Sequence, residues 1–259
     1  MGCVVPHVVR INVTPVKSTA LHHPDQIRLE RYGAVGDRTF FFVDGRGRRF
    51  SGATKAPILP IRAMYEPERE WLALALPNGI VVSGSAVADG RSLAVDFYGR
   101  DVRARIVDGD FAEALTAYAG HEVLLARAEE GEALDVRPVT LVSLESVAEL
   151  ARRGGHDGSL SPARFRMTFE VEGVDEPHAE DSWRARRFRV GEALIRIEDP
   201  VPRCVVTTLD PSTGLRDFPT LRVLRGYRRT SSKGNVHFGV YADVLEPGTV
   251  RVGDELQAV

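Results

Sequence analysis

Cys204 stands in the run Asp199-Pro-Val-Pro-Arg-Cys-Val-Val-Thr-Thr-Leu-Asp210, where two prolines stiffen the approach and an apolar stretch leads away. A free thiol is only a few per cent thiolate at neutral pH, but an adjacent cation or a metal lowers its pKa by several units. Arg203 is such a cation. Two readings stay open on these residues alone: a thiolate that ligates or attacks, and a half-buried structural cysteine. Pro15-Val-Lys17-Ser18 follows a β-rich stretch, so an ammonium and a hydroxyl can converge on a phosphate oxygen. Asp37-Arg38, after Gly33 and Gly36, and Arg164-Phe-Arg166, after a glycine-rich loop, offer guanidinium forks suited to oxyanions. Taken singly, each of these charges reads equally as a solvated surface group. Trp183-Arg-Ala-Arg-Arg-Phe-Arg189 has the basic and aromatic mixture of a single-strand nucleic-acid binder, or of a strand with one solvated face. His237 is a candidate base for Cys204 in a cysteine hydrolase, yet no nucleophile-elbow signature surrounds either residue.

The elements that must position these residues are mostly strands. Residues 4–13, 26–30, 39–43, 58–65 and 71–76 are rich in β-branched and aromatic side chains, with turns at Asp44-Gly45, Pro77-Asn78-Gly79 and Tyr98-Gly99. Residues 111–119 carry apolar positions at helical spacing and stop at Gly120. The acidic, small-residue stretch 128–133 marks a boundary between an N-terminal domain, 1–130, and a second domain, 131–259. In the second, a strand at 139–142 leads into a helix at 145–153, with Ser143 as its N-cap and Gly154-Gly155 as its stop. Ser143 and Ser146 would then face an anion at the helix N-terminus. Further strands are expected at 168–171, 187–190, 193–198, 204–209, 236–244 and 248–256, and a helix at 219–229. The fold class is mainly β with a few short helices.

Composition narrows the partners. A net charge of -2 over 259 residues argues against nucleic acid. No apolar run approaches the roughly 20 residues of a membrane span, so a cytoplasmic location is expected. Met1-Gly2-Cys3 hints at lipidation, but Pro6 stands where the myristoylation pattern wants Ser or Thr. The two cysteines, Cys3 and Cys204, form no zinc or disulfide pattern. Of 34 basic residues only Lys17, Lys55 and Lys233 are lysine, a bias toward the planar guanidinium.

Taken in order, these fragments resemble the MOSC family, named for the C-terminal domain of molybdenum-cofactor sulfurase. The first half supplies Pro15-Val-Lys-Ser18, Gly33, Asp37-Arg38, Asp44-Gly45 and Pro57. The second supplies Asp135, Ser146, Arg164-Phe-Arg166, Ala179-Glu-Asp-Ser-Trp183, Arg203-Cys204, Thr207-Thr-Leu-Asp-Pro211, Phe238-Gly239 and Pro247-Gly-Thr-Val-Arg-Val-Gly-Asp254. Within the family the chain looks closest to the amidoxime-reducing component branch. The resemblance implies a small N-terminal β-barrel packed on a C-terminal MOSC β-barrel. It also implies that Cys204 is both the catalytic residue and the ligand to molybdenum. Lys17, Ser18 and Arg38 would hold the phosphate of the pterin, and Ser146, Arg166, Thr168 and Arg203 would complete the pocket. The chain departs from the family at Met167-Thr168, where Pro-Asn usually follows Arg-Phe-Arg, at Thr19 after Lys-Ser, and around Ser51-Gly-Ala-Thr54.

The function implied is a molybdenum-cofactor oxidoreductase that reduces N-hydroxylated or N-oxygenated small molecules. Electrons would come from a separate donor protein of ferredoxin or flavoprotein type, with neither nucleic acid nor membrane as partner. The alternative is a non-catalytic cofactor carrier or a sulfur-transfer protein bearing a persulfide on Cys204. Pyridoxal phosphate, a cofactor of the sulfurase itself, is not expected, because the sulfurase domain that binds it has no counterpart here.

Overall fold

The computed structural model describes residues 5–50, 58–232 and 234–259. Met1-Gly2-Cys3 and the Ser51-Gly-Ala-Thr54 departure lie outside the described residues. The first strands are β1 (His7–Ile11), β2 (Gln26–Glu30), β3 (Gly33–Ala34), β4 (Phe40–Asp44), β5 (Arg62–Glu66), β6 (Trp71–Ala75) and β7 (Val81–Ser85). Then come β8 (Ser92–Phe97), β9 (Arg100–Ile106), α1 (Phe111–Ala119), β10 (Val123–Ala128), β11 (Val139–Ser143), α2 (Leu144–Arg153) and β12 (Phe169–Glu172). The chain ends with β13 (Arg187–Val190), β14 (Ala193–Pro202), α3 (Thr220–Arg225), β15 (His237–Glu246), β16 (Gly248–Arg251) and β17 (Leu256–Ala258). Among the described residues no helix is long and apolar enough to cross a membrane.

Side-chain alternation decides how these strands stack. In β4 all of Phe40, Phe41, Phe42 and Val43 are buried, so the strand needs an apolar layer on each face. Phe40 and Phe42 join the core formed with β5, β6 and α1, whereas Phe41 and Val43 join the core under β8 and β9. The four-stranded sheet runs β4-β10-β9-β8, and β5-β6-β7 form a separate meander. The largest sheet has the order β1-β12-β11-β15-β14-β13-β17. Its edges come back together: Leu256 N–H donates to Pro6 O at 2.7 Å and Gly253 N–H to Val8 O at 2.7 Å, which ties β1 to the start of β17. The result is a nearly closed barrel-like sheet around Ile11, Leu141, Phe169, Ile195 and Val240. β2 pairs with β16 on one side and with β3 on the other, so residues 26–34 are hydrogen-bonded into the second half of the sequence.

Several expectations are corrected. Residues 204–209 form a single-turn 3-10 helix, Val205–Thr208, rather than a strand. The cause is local: the Thr207 and Thr208 hydroxyls donate to the carbonyls of Cys204 (3.0 Å) and Val205 (2.7 Å), three residues back. The helix expected over 219–229 is confined to α3, and 248–256 is two strands split by a turn at Val252-Gly253. β7, β8, β9 and β10 went unanticipated, because Ser, Gly and Arg dominate the exposed faces of the first three. α1 runs from Phe111 to Ala119 and stops at Gly120, whose φ of 72° is the left-handed cap only glycine adopts at no cost.

Candidate functional site

The loop after β1 is folded by its hydroxyls. Thr14 and Thr19 share a hydrogen bond of 2.8 Å, Thr19 also donates to Val16 O at 2.7 Å, and both are buried. Thr19, one of the departures from the family, therefore holds this loop from inside. Pinned so, Lys17 turns inward beneath Phe97 and donates from Nζ to Asp135 Oδ1 (2.6 Å) and Ala133 O (2.7 Å). Burial pulls the lysine below its ordinary value, and Asp135 partly opposes this. Burial alone would raise the Asp135 carboxyl, but Lys17, with Arg38 and Arg49 behind it, holds it below the usual carboxylate range. The site thus contains a charged pair on one wall.

Two residues with left-handed backbones knit the halves together. Arg38 (φ 51°) donates from Nη2 to Arg166 O at 3.1 Å and pairs through Nη1 with Asp37. Arg166 (φ 56°) closes the 3-10 turn Pro162–Phe165 and donates from Nη2 to Thr19 O at 2.7 Å. Arg166 forms no ion pair within the described residues. Burial, and then repulsion from Arg38, bring its pKa down to about 9, so it stays cationic at neutral pH.

Cys204 is delivered by the irregular end of β14. Pro200 and Pro202 cannot donate to a ladder, and the register against β15 shifts at both. The strand gives way there to Arg203 and the exposed Cys204. Arg203 spends its guanidinium on Phe238 O (2.6 and 2.8 Å), Phe165 O (3.1 Å) and the Met167 sulfur. Behind the 3-10 turn, buried Arg164 grips Asp217 with both terminal nitrogens (3.1 and 2.8 Å) and Thr207 O at 3.2 Å. Thr168 is fixed by Thr140, each backbone N–H donating to the other's hydroxyl (3.2 and 2.9 Å).

Lys17, Ser18, Arg38, Arg166, Thr168, Arg203 and Cys204 all line one cleft, of about 1180 Å³ counted to its open mouth. Among the described residues seven basic side chains line it, Lys17, Arg38, Arg49, Arg137, Arg164, Arg166 and Arg203, against one carboxylate, Asp135. Ser146 is the expected site residue that does not line this cleft. Its hydroxyl donates to Glu180 (2.8 and 3.0 Å) and bonds Ser143, which caps α2 as expected. The carboxyl at this helix N-terminus is the chain's own Glu180, which leaves no opening for a ligand there. Arg164 also proves structural, and His237 does not line the cleft. In the basic run at 183–189, Arg184 pairs with Asp199 (2.8 Å), Arg189 pairs with Glu246 (2.7 Å) and Arg186 lies over the Phe188 ring. Sequence reasoning missed Arg49, Tyr98, Arg137 and Tyr241 as cleft residues; only Tyr98, in a marked hairpin turn, carried a local signal. Burial, with Asp135 nearby, raises the Tyr241 phenol to about 12, so it keeps its proton at neutral pH.

Residues 128–257 match the family model described as the MOSC domain. The chain is 27% identical over 284 residues to mitochondrial amidoxime-reducing component 1 of Danio rerio, covering 97% of this chain and 84% of that protein. Identity to mitochondrial amidoxime-reducing component 1 of Homo sapiens is 32% over 128 residues, 46% of this chain and 36% of that one. The molybdenum cofactor sulfurase of Caenorhabditis briggsae is 34% identical over 113 residues, 43% of this chain and 15% of that one. Among solved structures, the YUAD protein from Bacillus subtilis aligns with a TM-score of 0.48 at 14% identity, over 97% of this chain and 93% of that one.

Proposed function

Because the chain belongs to the MOSC domain family, we propose that its cleft binds a molybdenum cofactor and that the protein reduces N-hydroxylated or N-oxygenated small molecules. The observation that carries this reading is one juxtaposition: an exposed Cys204 thiol opens into the same cleft as Lys17, Arg38 and Arg166. The residues fit the group chemically. A soft thiolate suits a thiophilic metal, and a phosphate monoester of nearly two negative charges needs several strong donors. Arg166, a buried cation with no ion pair among the described residues, is the group such an anion would satisfy.

In this reading Cys204 ligates the metal, Lys17, Ser18 and Arg38 hold the phosphate, and Arg166, Thr168 and Arg203 form the wall behind it. The cofactor, when bound, supplies the two-electron redox couple. Cleaving an N–OH bond to leave N–H consumes two electrons and two protons and releases water. The electrons come from a separate donor protein of ferredoxin or flavoprotein type. Tyr241 keeps its proton at neutral pH, which supports a role as an O–H donor orienting the substrate oxygen.

Protein made in molybdate-replete cells is expected to carry close to one molybdenum per chain and to reduce an amidoxime with a supplied electron donor. Cys204→Ser is expected to abolish that reduction, and full activity in the variant overturns the assignment. The exposure of Cys204 supports a second reading, sulfur transfer through a persulfide. Metal-free protein whose Cys204 carries an added sulfur by mass spectrometry would favour it.

A further inference from the structure

The mouth of the cleft holds a cation that neither the fold nor the proposed cofactor grip uses. The Arg49 guanidinium lies over the Tyr98 ring at 4.2 Å and the Phe97 ring at 4.9 Å, and both Arg49 and Tyr98 line the cleft with Cys204. Arg49 makes no ion pair among the described residues, and residues 1–4, 51–57 and 233 include no Asp or Glu. Asp135, the one lining carboxylate, is bonded to Lys17. Arg49 therefore has no carboxylate within ion-pair distance among the described residues, Asp135 acting on it only from farther off.

Tyr98 is the second observation. It is the first residue of the two-residue turn between β8 and β9, with φ of 59°, followed by Gly99 at 86°. Such a turn favours Asn or Asp before Gly, and a bulky aromatic in the left-handed region is an outlier that needs a reason. The ring is nonetheless 63% exposed. An aromatic face held in a left-handed turn, carrying a guanidinium that forms no ion pair among the described residues, is a surface for a flat anion.

Resting on the function proposed above, we infer that Arg49 and Tyr98 form a substrate-recognition shelf that selects planar N-hydroxylated substrates bearing a carboxylate. Tyr98 stacks on the flat part of the substrate, and the Arg49 fork takes the carboxylate while the N–OH group points toward Cys204.

The test compares benzamidoxime with 4-carboxybenzamidoxime, using a chemical reductant as donor, and reads the ratio of their kcat/KM values. Wild type is expected to favour the carboxylate by about tenfold, the usual worth of a charge-assisted contact. Arg49→Gln is expected to bring the ratio to about one with molybdenum content unchanged, and Arg49→Lys to fall between. Calorimetric binding of 4-carboxybenzamidine gives a readout independent of turnover, and is expected to weaken by a similar factor in Arg49→Gln. Molybdenum-free, inactive protein that still binds this ligand through Arg49 would sink the proposed function but keep the shelf. Loaded, active protein with no carboxylate preference overturns the shelf alone, as does loss of molybdenum in Arg49→Gln, which would assign Arg49 to the cofactor grip.

Discussion

Arg166 shows how a binding cleft trades stability for charge. Its guanidinium is held by burial and by Arg38 in conditions that disfavour its charge, and a bond from Nη2 to Thr19 O with the fields of Asp37 and Asp135 compensates only in part. A cation so placed is a liability until an anion arrives. Arg166→Met is therefore expected to stabilise the metal-free protein by about 1 kcal/mol, a rise in Tm of roughly 2–4 °C for a chain of this size. The same variant should bind less molybdenum, and added inorganic phosphate should raise its Tm less than it raises that of wild type. Scanning calorimetry of both proteins, with and without phosphate, checks each part. A variant that melts below wild type would show that the Thr19 bond outweighs the buried charge.

The element that presents Cys204 is a short turn fixed by its own hydroxyls and by Arg164, so its geometry depends on these bonds. Arg164 joins the turn to Asp217, while the Thr220 hydroxyl donates to the same Thr207 carbonyl at 2.6 Å. Arg164→Met removes the buried cation but leaves Asp217 about a third exposed, so water can solvate the stranded carboxylate. A loss of about 2–3 kcal/mol is expected, below the full cost of breaking a wholly buried pair. Freed from Arg164, the turn should move, and Cys204 should react faster with a maleimide than in wild type at the same pH. An unchanged rate would mean that the threonine bonds suffice. This turn also marks the limit of what the sequence made legible. β2, β13 and α1 were readable because alternation or a glycine stop is a local signal. Cys204, Lys17, Ser18 and Arg38 were legible as candidates by residue type and resemblance, and they do share a cleft. The threonine pair that bends 204–209 away from a strand looked like β propensity, and Ser146 looked like an anion donor. Its partner Glu180 lies 34 positions away, a contact no local pattern announces.

At the scale of the whole molecule, the cleft exists only because distant segments meet. Arg38, from the loop before β4, reaches the backbone of Arg166, and Arg166 reaches back to Thr19. Part of the pH response comes from buried groups outside this seam, His178, Glu170 and Glu180. His178 sits against the Tyr227 and Phe238 rings, and neither ring nitrogen has a hydrogen-bond partner. Burial, and then Arg228, push its pKa down to about 4 from 6.5, with Asp181 and Glu149 only partly opposing. The folded value lies below the unfolded one, so the stability His178 contributes is present above pH 6.5 and is lost as pH falls toward 4. Glu170 and Glu180 run the other way: burial raises both, so folding favours their protonated forms and their contribution is lost as pH rises through their folded values. Between pH 6.5 and about 4 these trends oppose one another, and the acid limb of wild type records their difference. His178→Asn, which keeps a residue tolerant of the left-handed φ of 69°, isolates the histidine. Urea unfolding at a series of pH values should show the variant losing about 1–2 kcal/mol less than wild type across that window, after allowing for solvent screening. Parallel acid limbs in the two proteins would assign the loss to other groups, the Lys17–Asp135 pair in the cleft first among them.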